Sequence, residues 1–219
     1  MWIGTRLGGL VPGNPWLAGG TARVILNEVN ATSPSQLRGY VEVGGDRAEV
    51  VIANPAGIVC DGCGFINASR STLTTGAPLL TNGSLDGFRV QGGRIEVQGA
   101  GLDAADSDYT GLIARAVELN AGIWANDLRV ITGAAEVSAD AASATALAAS
   151  GPAPAFALDV ALLGGMYANK ITLVGAEAGL GMRSAGHIGA AAGEVVVTTA
   201  GWLENAGQID SNTRLHISA

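Results

Sequence analysis

The sequence has 219 residues, of which 48% are hydrophobic and 14% charged, and its formal net charge is −7 at pH 7. High hydrophobicity with low charge argues against a disordered chain, which needs the opposite balance. The negative charge and a single lysine, Lys170, argue against nucleic acid or an anionic membrane surface as a partner. No apolar run reaches the ~18 residues of a membrane helix. The 33 glycines favour an all-β chain with many turns.

The N-terminal segment, Met1–Gly8, lacks a basic region followed by a continuous apolar stretch, so it does not predict a signal peptide. An Asn-Pro turn follows at Asn14-Pro15-Trp16-Leu17, just before Gly19-Gly20. One Asn-Pro is a common turn and by itself says little about function.

Short runs with alternating polar and apolar residues, bounded by Gly, Asn or Asp, predict half-buried strands along the whole chain. They lie at Thr21–Val29, Tyr40–Val43, Ala48–Val50, Arg94–Val97, Asp127–Val130, Lys170–Val174, Glu194–Val197 and Arg214–Ile217.

A second Asn-Pro turn follows the third predicted strand. Asn54-Pro55-Ala56-Gly57 has favoured residues for a type I turn, and Pro55 holds Asn54 in an extended conformation. The Asn54 side chain can bond to the backbone two residues further on, which stiffens the turn.

Both cysteines of the chain follow closely, as Cys60-Asp61-Gly62-Cys63. A thioredoxin-like redox pair needs a βαβ setting, which the sequence does not show. Half of a zinc site needs two more ligands, and the only histidines are His187 and His216. A local disulfide that stiffens the strand end is the simplest account, and it implies an oxidising compartment.

Three aspartates, Asp103, Asp106 and Asp108, alternate along one short stretch. Carboxylates in this pattern could bind calcium or serve a β-helix glycosidase or lyase. The simpler interpretation is a solvated acidic loop. We therefore predict no catalytic residue, cofactor or metal.

Two segments have ambiguous patterns. Asp108–Leu119 fits a helical face but also alternates at its end, and we predict strand. Residues 141–157 are rich in Ala, Ser and Thr and contain two prolines, which favours a surface excursion over a helix.

The strands also repeat at longer intervals. Gly122–Val130 matches Gly165–Leu173 at an offset of 43, and Ala185–Ile188 matches Ala206–Ile209 at an offset of 21. We interpret 43 as two units of about 21, which is typical of a β-solenoid. About ten coils stacked ~4.8 Å apart would form a rod of roughly 50 Å.

Several segments in a fixed order resemble those of a known family. They are Leu26–Val29, Ser35–Val43, Ala48–Ile58, Cys60–Asn67 and Leu73–Gly76. In this order and spacing they resemble the two-partner-secretion domain of filamentous-haemagglutinin-like exoproteins. That group includes adhesins, haemolysins and contact-dependent growth-inhibition exoproteins of Gram-negative bacteria. The resemblance covers about residues 7–219 and is most specific between residues 14 and 76.

The resemblance implies an all-β fold, a right-handed, single-stranded parallel β-helix with hairpins or loops outside it. It implies passage through the periplasm in an unfolded form, recognition by the periplasmic POTRA repeats of an outer-membrane transporter, and folding at the cell surface. The implied recognition residues match the two Asn-Pro motifs of the family; they are Asn14, Pro15, Leu17, Asn54, Pro55, Gly57 and Ile58. At Trp16 and Ala56 this sequence departs from the family, which has Asn at both positions.

We expect residues 1–219 to form one domain that begins inside the family's domain, without its signal peptide and cap, and continues into a longer parent. Such a chain would be a fragment, a misplaced start, or a version that has lost secretion. The favoured function is therefore a non-enzymatic secretion module of a larger surface protein. The alternatives are a β-helix domain that binds or cleaves carbohydrate and a plain adhesive stalk.

Overall fold

The computed structural model describes residues 2–15 and 20–219, and these contain 24 β-strands. Within these residues no helix is long and apolar enough to cross a membrane. The first twelve are β1 (Trp2–Thr5), β2 (Gly9–Pro12), β3 (Val24–Glu28), β4 (Ser35–Leu37), β5 (Tyr40–Glu42), β6 (Ala48–Ala53), β7 (Ile58–Ile66), β8 (Ala68–Thr74), β9 (Ala77–Thr81), β10 (Ser84–Val90), β11 (Arg94–Ala114) and β12 (Ala116–Leu119). The others are β13 (Gly122–Thr132), β14 (Ala135–Ser138), β15 (Ala144–Ala146), β16 (Leu158–Val160), β17 (Gly165–Ala168), β18 (Lys170–Gly175), β19 (Met182–Ser184), β20 (His187–Ala190), β21 (Val195–Thr199), β22 (Leu203–Asn205), β23 (Gln208–Ser211) and β24 (Leu215–Ser218).

Most strands pair in parallel with the strand one coil away, which builds the predicted β-helix with three faces. The first face contains β3, β6, β8, the end of β11, the end of β13, β18, β21 and β24. The second contains β4, β7, β11, β12, β16, β19 and β22. The third contains β5, β7, β11, β13, β17, β20 and β23. All eight predicted segments lie in strands; six have bounds within a few residues of those predicted, whereas Arg94–Val97 and Asp127–Val130 are parts of the longer strands β11 and β13.

The structure corrects the interpretation of the longer repeat. Gly122 pairs directly with Gly165, and Asp127 with Lys170, so the offset of 43 is one coil and not two. Residues 133–157 leave the rod inside that coil and lengthen it. The first face has eight strands in the described chain, so the rod is about 34 Å long rather than 50 Å.

The offset of 21 also joins adjacent coils, and its glycines have a steric cause. His187 pairs with Gln208 in the register that the repeat predicts. A Cβ at Gly207 would overlap the carbonyl oxygen of Gly186, and a Cβ at Gly186 would overlap that of Gly164. The corners of successive coils therefore stack closely enough that glycine is needed at each one.

The interior of the rod is filled by aliphatic side chains from all three faces. It includes Ile58, Leu112, Leu128 and Ile171, none of which is exposed. Because one coil cannot bury its own inner surface, this continuous core holds the stack together.

Two excursions from the rod join in an antiparallel sheet of order β15-β14-β10-β9, which we call the outer sheet. Phe88 and Val137 of the outer sheet pack on Val51, Ile113 and Ile131, which point outward from the first face. The strands confirm that Asp108–Leu119 is strand apart from Arg115, and the pairing of β15 with β14 confirms that residues 141–157 form an excursion from the rod.

The hairpin formed by β1 and β2 lies near the start of the rod. The backbone N–H groups of Arg6 and Leu7 donate to the Glu42 carboxylate, and Arg6 Nη1 lies 3.0 Å from Asp106 Oδ2. These contacts tie the hairpin to the corner that follows β5.

Candidate functional site

The Asn54 turn has the geometry that the sequence predicts. The Asn54 carbonyl oxygen accepts a hydrogen bond from the Gly57 backbone N–H at 3.0 Å. Its side-chain Oδ1 accepts another from the Ala56 N–H at 2.9 Å. Pro55 is exposed at the tip, so the turn is fixed by Asn54 from within.

The Asn54 side chain also binds backwards to the preceding coil, which the sequence did not reveal. Its Nδ2 donates to the Ser33 carbonyl oxygen at 3.1 Å and to Ser35 Oγ at 2.9 Å. Its backbone N–H donates to the Thr74 carbonyl oxygen in the following coil. Asn54 is 0% exposed, and every polar atom it has is engaged within the folded chain.

The same contact recurs at other corners of the rod. Asn67 Nδ2 donates to two carbonyl oxygens of the preceding coil, at 2.7 and 2.8 Å, and Asn126 Nδ2 does so at 2.8 and 2.9 Å. Asn169 then donates to Asn126 Oδ1. In the sequence, the only sign of these contacts was that Asn126 and Asn169 occupy the same position in the two repeated blocks. Asn54 thus belongs to a set of corner amides that join coils.

Gly57 and Ile58 occupy buried positions after the turn. Gly57 has φ +121°, and a Cβ there would lie 2.9 Å from the Arg94 carbonyl oxygen, so other residues would be strained. Ile58 is fully buried and pairs with Ser35 and Ile95 in the coils on either side. Both residues therefore have clear structural roles in the folded rod.

Cys60 and Cys63 form the expected disulfide, with their Cα atoms 5.3 Å apart across a corner where Gly62 has φ +70°. Both sulfurs lie in the interior of the rod, where Cys60 pairs with Leu37 and Val97 of the neighbouring coils. The bridge is thus part of the core as well as a clamp on the strand end. Its short loop limits the entropic gain to about 2 kcal/mol or less.

The first Asn-Pro motif is only partly covered by the structure. Asn14 and Pro15 are exposed residues that follow β2. Trp16 and Leu17, also part of this predicted motif, lie outside the described residues.

A groove of about 770 Å³ runs beside the Asn54 turn along the second face, between Ala56 and the returning segment at Pro154–Phe156. Arg115 holds that segment in place. Its Nη1 donates to the carbonyl oxygens of Ser150 and Pro152. Its Nε and Nη2 form a bidentate salt bridge with the Glu177 carboxylate, at 3.0 and 2.9 Å. The hydrogen bond from Arg115 lowers the pKa of Glu177.

The three aspartates of the acidic stretch have separate partners. Tyr40 Oη donates to Asp103 at 2.8 Å, which raises the pKa of Tyr40. Asp106 pairs with Arg6, and Asp108 with Arg47. They do not converge on one arginine, and no group of three His, Cys, Asp or Glu side chains within residues 2–15 and 20–219 is arranged to hold a metal.

Comparison with known proteins finds close relatives. A family model described as TPS secretion domain matches residues 13–205. "Toxin CdiA" of Yersinia pestis is 57% identical over 215 residues, covering 98% of this chain and 6% of the relative. "tRNA nuclease CdiA-2" of Burkholderia pseudomallei (strain 1026b) is 49% identical over 211 residues, covering 95% and 7%.

The crystal structure of the filamentous hemagglutinin secretion domain superposes with a TM-score of 0.86 at 31% identity, covering 100% of this chain and 82% of that one. The chain spans less than a tenth of the length of the two CdiA relatives. The toxin and nuclease activities in their names are therefore properties of much longer proteins.

Proposed function

The chain belongs to the TPS secretion-domain family, which makes it a secretion module, and we propose that the periplasmic POTRA repeats of an outer-membrane transporter recognise it in its unfolded form. The recognition residues are Asn14, Pro15, Leu17, Asn54, Pro55, Gly57 and Ile58. The module has no catalytic activity of its own and serves a larger exoprotein that is exported through the periplasm to the cell surface.

The burial of Asn54, Gly57 and Ile58 is the observation that supports recognition before folding. In the rod, Asn54, Gly57 and Ile58 are buried, and the Asn54 amide is fully hydrogen-bonded. A partner could reach these groups only while the coils are unformed. An extended Ala48–Ile58 segment could then pair with a transporter repeat by strand addition, using the backbone groups that later pair with β3 and β8.

Folding outside would then displace the transporter. When the rod forms, the Asn54 amide exchanges any bond with a partner for those with Ser33 and Ser35. Binding and folding therefore compete for the same polar atoms, so release requires no separate signal.

The test must separate recognition from folding, because Asn54 serves both. A peptide of residues 8–66 contains too few coils to stack and stays unfolded. Its binding to the purified periplasmic repeats is measured with and without Asn14→Ala and Asn54→Ala, and secretion of the parent is measured with the same substitutions. We expect both substitutions together to weaken binding and to reduce secretion.

Asn126→Ala is the matched control for secretion. It removes the same kind of corner amide, with an expected loss of about 1–3 kcal/mol of folding stability, but lies outside the Asn-Pro motifs. If secretion falls equally with Asn126→Ala and Asn54→Ala, the defect is one of folding. If the Asn14 and Asn54 substitutions leave both binding and secretion unchanged, the recognition proposal is wrong.

A further inference from the structure

The third face of the rod presents a row of rings, two exposed and one half-buried, on three successive coils. Trp124 of β13 and Tyr167 of β17 stack with centroids 6.1 Å apart and planes 18° apart. His187 of β20 meets Tyr167 edge to face at 5.4 Å. Asp210 of β23 lies 2.7 Å from His187 Nε2. We call Trp124, Tyr167, His187 and Asp210 the aromatic stripe.

Glycines beneath the rings let them lie close to the sheet. A Cβ at Gly122 would lie 2.7 Å from the Trp124 indole, and a Cβ at Gly165 would lie 2.9 Å from the Tyr167 ring. The inner side of each ring thus covers backbone, while Trp124 remains 44% and Tyr167 39% exposed. Ring surface left open in this way on an otherwise well-packed rod is typical of an interaction site.

Polar groups border the stripe in a shallow groove of about 490 Å³. The Asp210 carboxylate accepts one hydrogen bond from Gln208 Nε2 and forms another with His187 Nε2, and Asn169 lines the same groove. The described residues that line the groove include no Lys or Arg. The site carries the Asp210 carboxylate and the whole chain has a net charge of −7, so an anionic ligand is disfavoured and an uncharged one is suited to the groove.

We propose that the aromatic stripe binds a neutral oligosaccharide that runs along the rod axis. The apolar C–H faces of two sugar rings lie against Trp124 and Tyr167, and their hydroxyl groups bond to Asp210, His187 and Asn169. Aromatic surfaces with a few placed polar groups are the usual composition of a small-ligand site.

The geometry favours this ligand over two others. A cation cage needs rings that face one another around the charge, whereas these rings lie nearly parallel in a row. A protein partner needs roughly 800 Å² of contact on each side, and the stripe is flanked by small residues such as Ala125, Ala168 and Ala190. Neither therefore fits as well as a narrow, flat glycan chain.

The test is a titration of the folded 219-residue chain with N-acetylglucosamine, cellulose-type and starch-type hexasaccharides, followed by tryptophan fluorescence and by the Trp124 indole N–H signal in NMR. We expect at least one neutral hexasaccharide to bind. Trp124→Ala and Tyr167→Ala are each expected to weaken that binding by about tenfold or more. Asp210→Asn, which keeps the shape of the site, should weaken it less.

Trp202→Ala is the matched control, because Trp202 is also an exposed indole (43%) but packs with Phe156 away from the stripe. It should leave binding unchanged. The proposal is overturned if no neutral hexasaccharide binds the folded chain, or if the stripe variants bind as well as the unaltered chain. Preferential binding of a heparin hexasaccharide or of choline, or dimerisation lost in Trp124→Ala, would also overturn it.

Discussion

The coils in the middle of the rod differ from those at its C-terminal end in how many sides they bury. The middle coils, formed by β6, β8 and the ends of β11 and β13, are covered by the outer sheet. Of the six residues in β6, five are buried. In β18 buried and half-buried residues alternate strictly, and in β24 all four are exposed. The second core is therefore centred on the middle coils, with Leu26 of β3 and Val174 of β18 packing at its edges.

This difference implies uneven stability along one rod. A coil in a solenoid is stabilised by its neighbours and by whatever covers its outer side. The C-terminal coils have an inner core only, so they are expected to open locally at a lower free energy than the covered coils. The outer sheet thus stabilises the same coils that contain the Asn54 turn and the disulfide.

Phe88→Ala should reduce the difference in stability between the middle and C-terminal coils more than any other change considered. Phe88 is fully buried in the second core, and removing its ring should lower the free energy of unfolding by about 3–5 kcal/mol. Denaturant unfolding measures the loss, and hydrogen exchange shows whether β6 and β8 lose protection. Leu80→Ala, on the exposed side of the same sheet, should change stability by about 0.5 kcal/mol or less. Equal effects of the two would mean that the outer sheet does not stabilise the rod.

Arg115→Met should have the next largest effect. It leaves the half-buried Glu177 without its cation and frees the segment at Ser150–Pro152. The expected loss is about 3 kcal/mol, near the low end for a buried pair because Glu177 keeps the backbone N–H of Ala134. The measurement is denaturant unfolding together with limited proteolysis of residues 147–157.

Arg94→Met is its control, since the Arg94–Glu118 pair is largely exposed and should contribute little. An Arg115 variant as stable as the Arg94 variant would contradict the anchoring role.

The smallest expected effect is a pH dependence with opposite signs at two glutamates. The pKa of Glu177 is lowered from 4.5, so the stability that it contributes is present above that pH and is lost as pH falls through the lowered value. The pKa of Glu49 is raised from 4.5, mainly by burial and against the opposing effect of Arg70. The stability that Glu49 contributes is present below pH 4.5 and is lost as pH rises through the raised value.

Glu177→Gln and Glu49→Gln separate these two contributions. Unfolding curves between about pH 3 and pH 8 should show the Glu177 variant approaching the unaltered chain in acid. The free energy of unfolding of the Glu49 variant should instead rise relative to that of the unaltered chain as pH rises, because glutamine removes the cost of a buried charge. Parallel curves for all three proteins would contradict both pKa shifts.

The same contrast explains what the sequence could predict. In Lys170–Val174 the outward residues Lys170, Thr172 and Val174 are half-buried and the inward residues are buried, so polar and apolar residues alternate over most of the strand and the pattern predicts it. The repeated blocks at Gly122 and Gly165 predicted their pairing register, because equivalent residues stack on one another. Wherever one coil resembles the next in sequence, the local pattern was enough to predict the strand and its pairing register.

The outer sheet was not predictable in this way. Phe88 and Val137 pair although they are about fifty residues apart in sequence, and the pattern of neither strand indicates which strand it pairs with. The burial of Asn54 was hidden for a similar reason, since its acceptors at Ser33 and Ser35 lie a full coil upstream. The excursion at residues 133–157 also made one coil of 43 residues resemble two coils of 21.

The corner amides all point in one direction along the chain. Asn54, Asn67, Asn126 and Asn169 each donate to residues earlier in the sequence. If the chain is exported as proposed above and its N-terminal coils emerge first, each acceptor is outside before its donor arrives. Each corner could then form its hydrogen bonds as it emerges, and the growing rod would oppose return of the chain without an external source of energy.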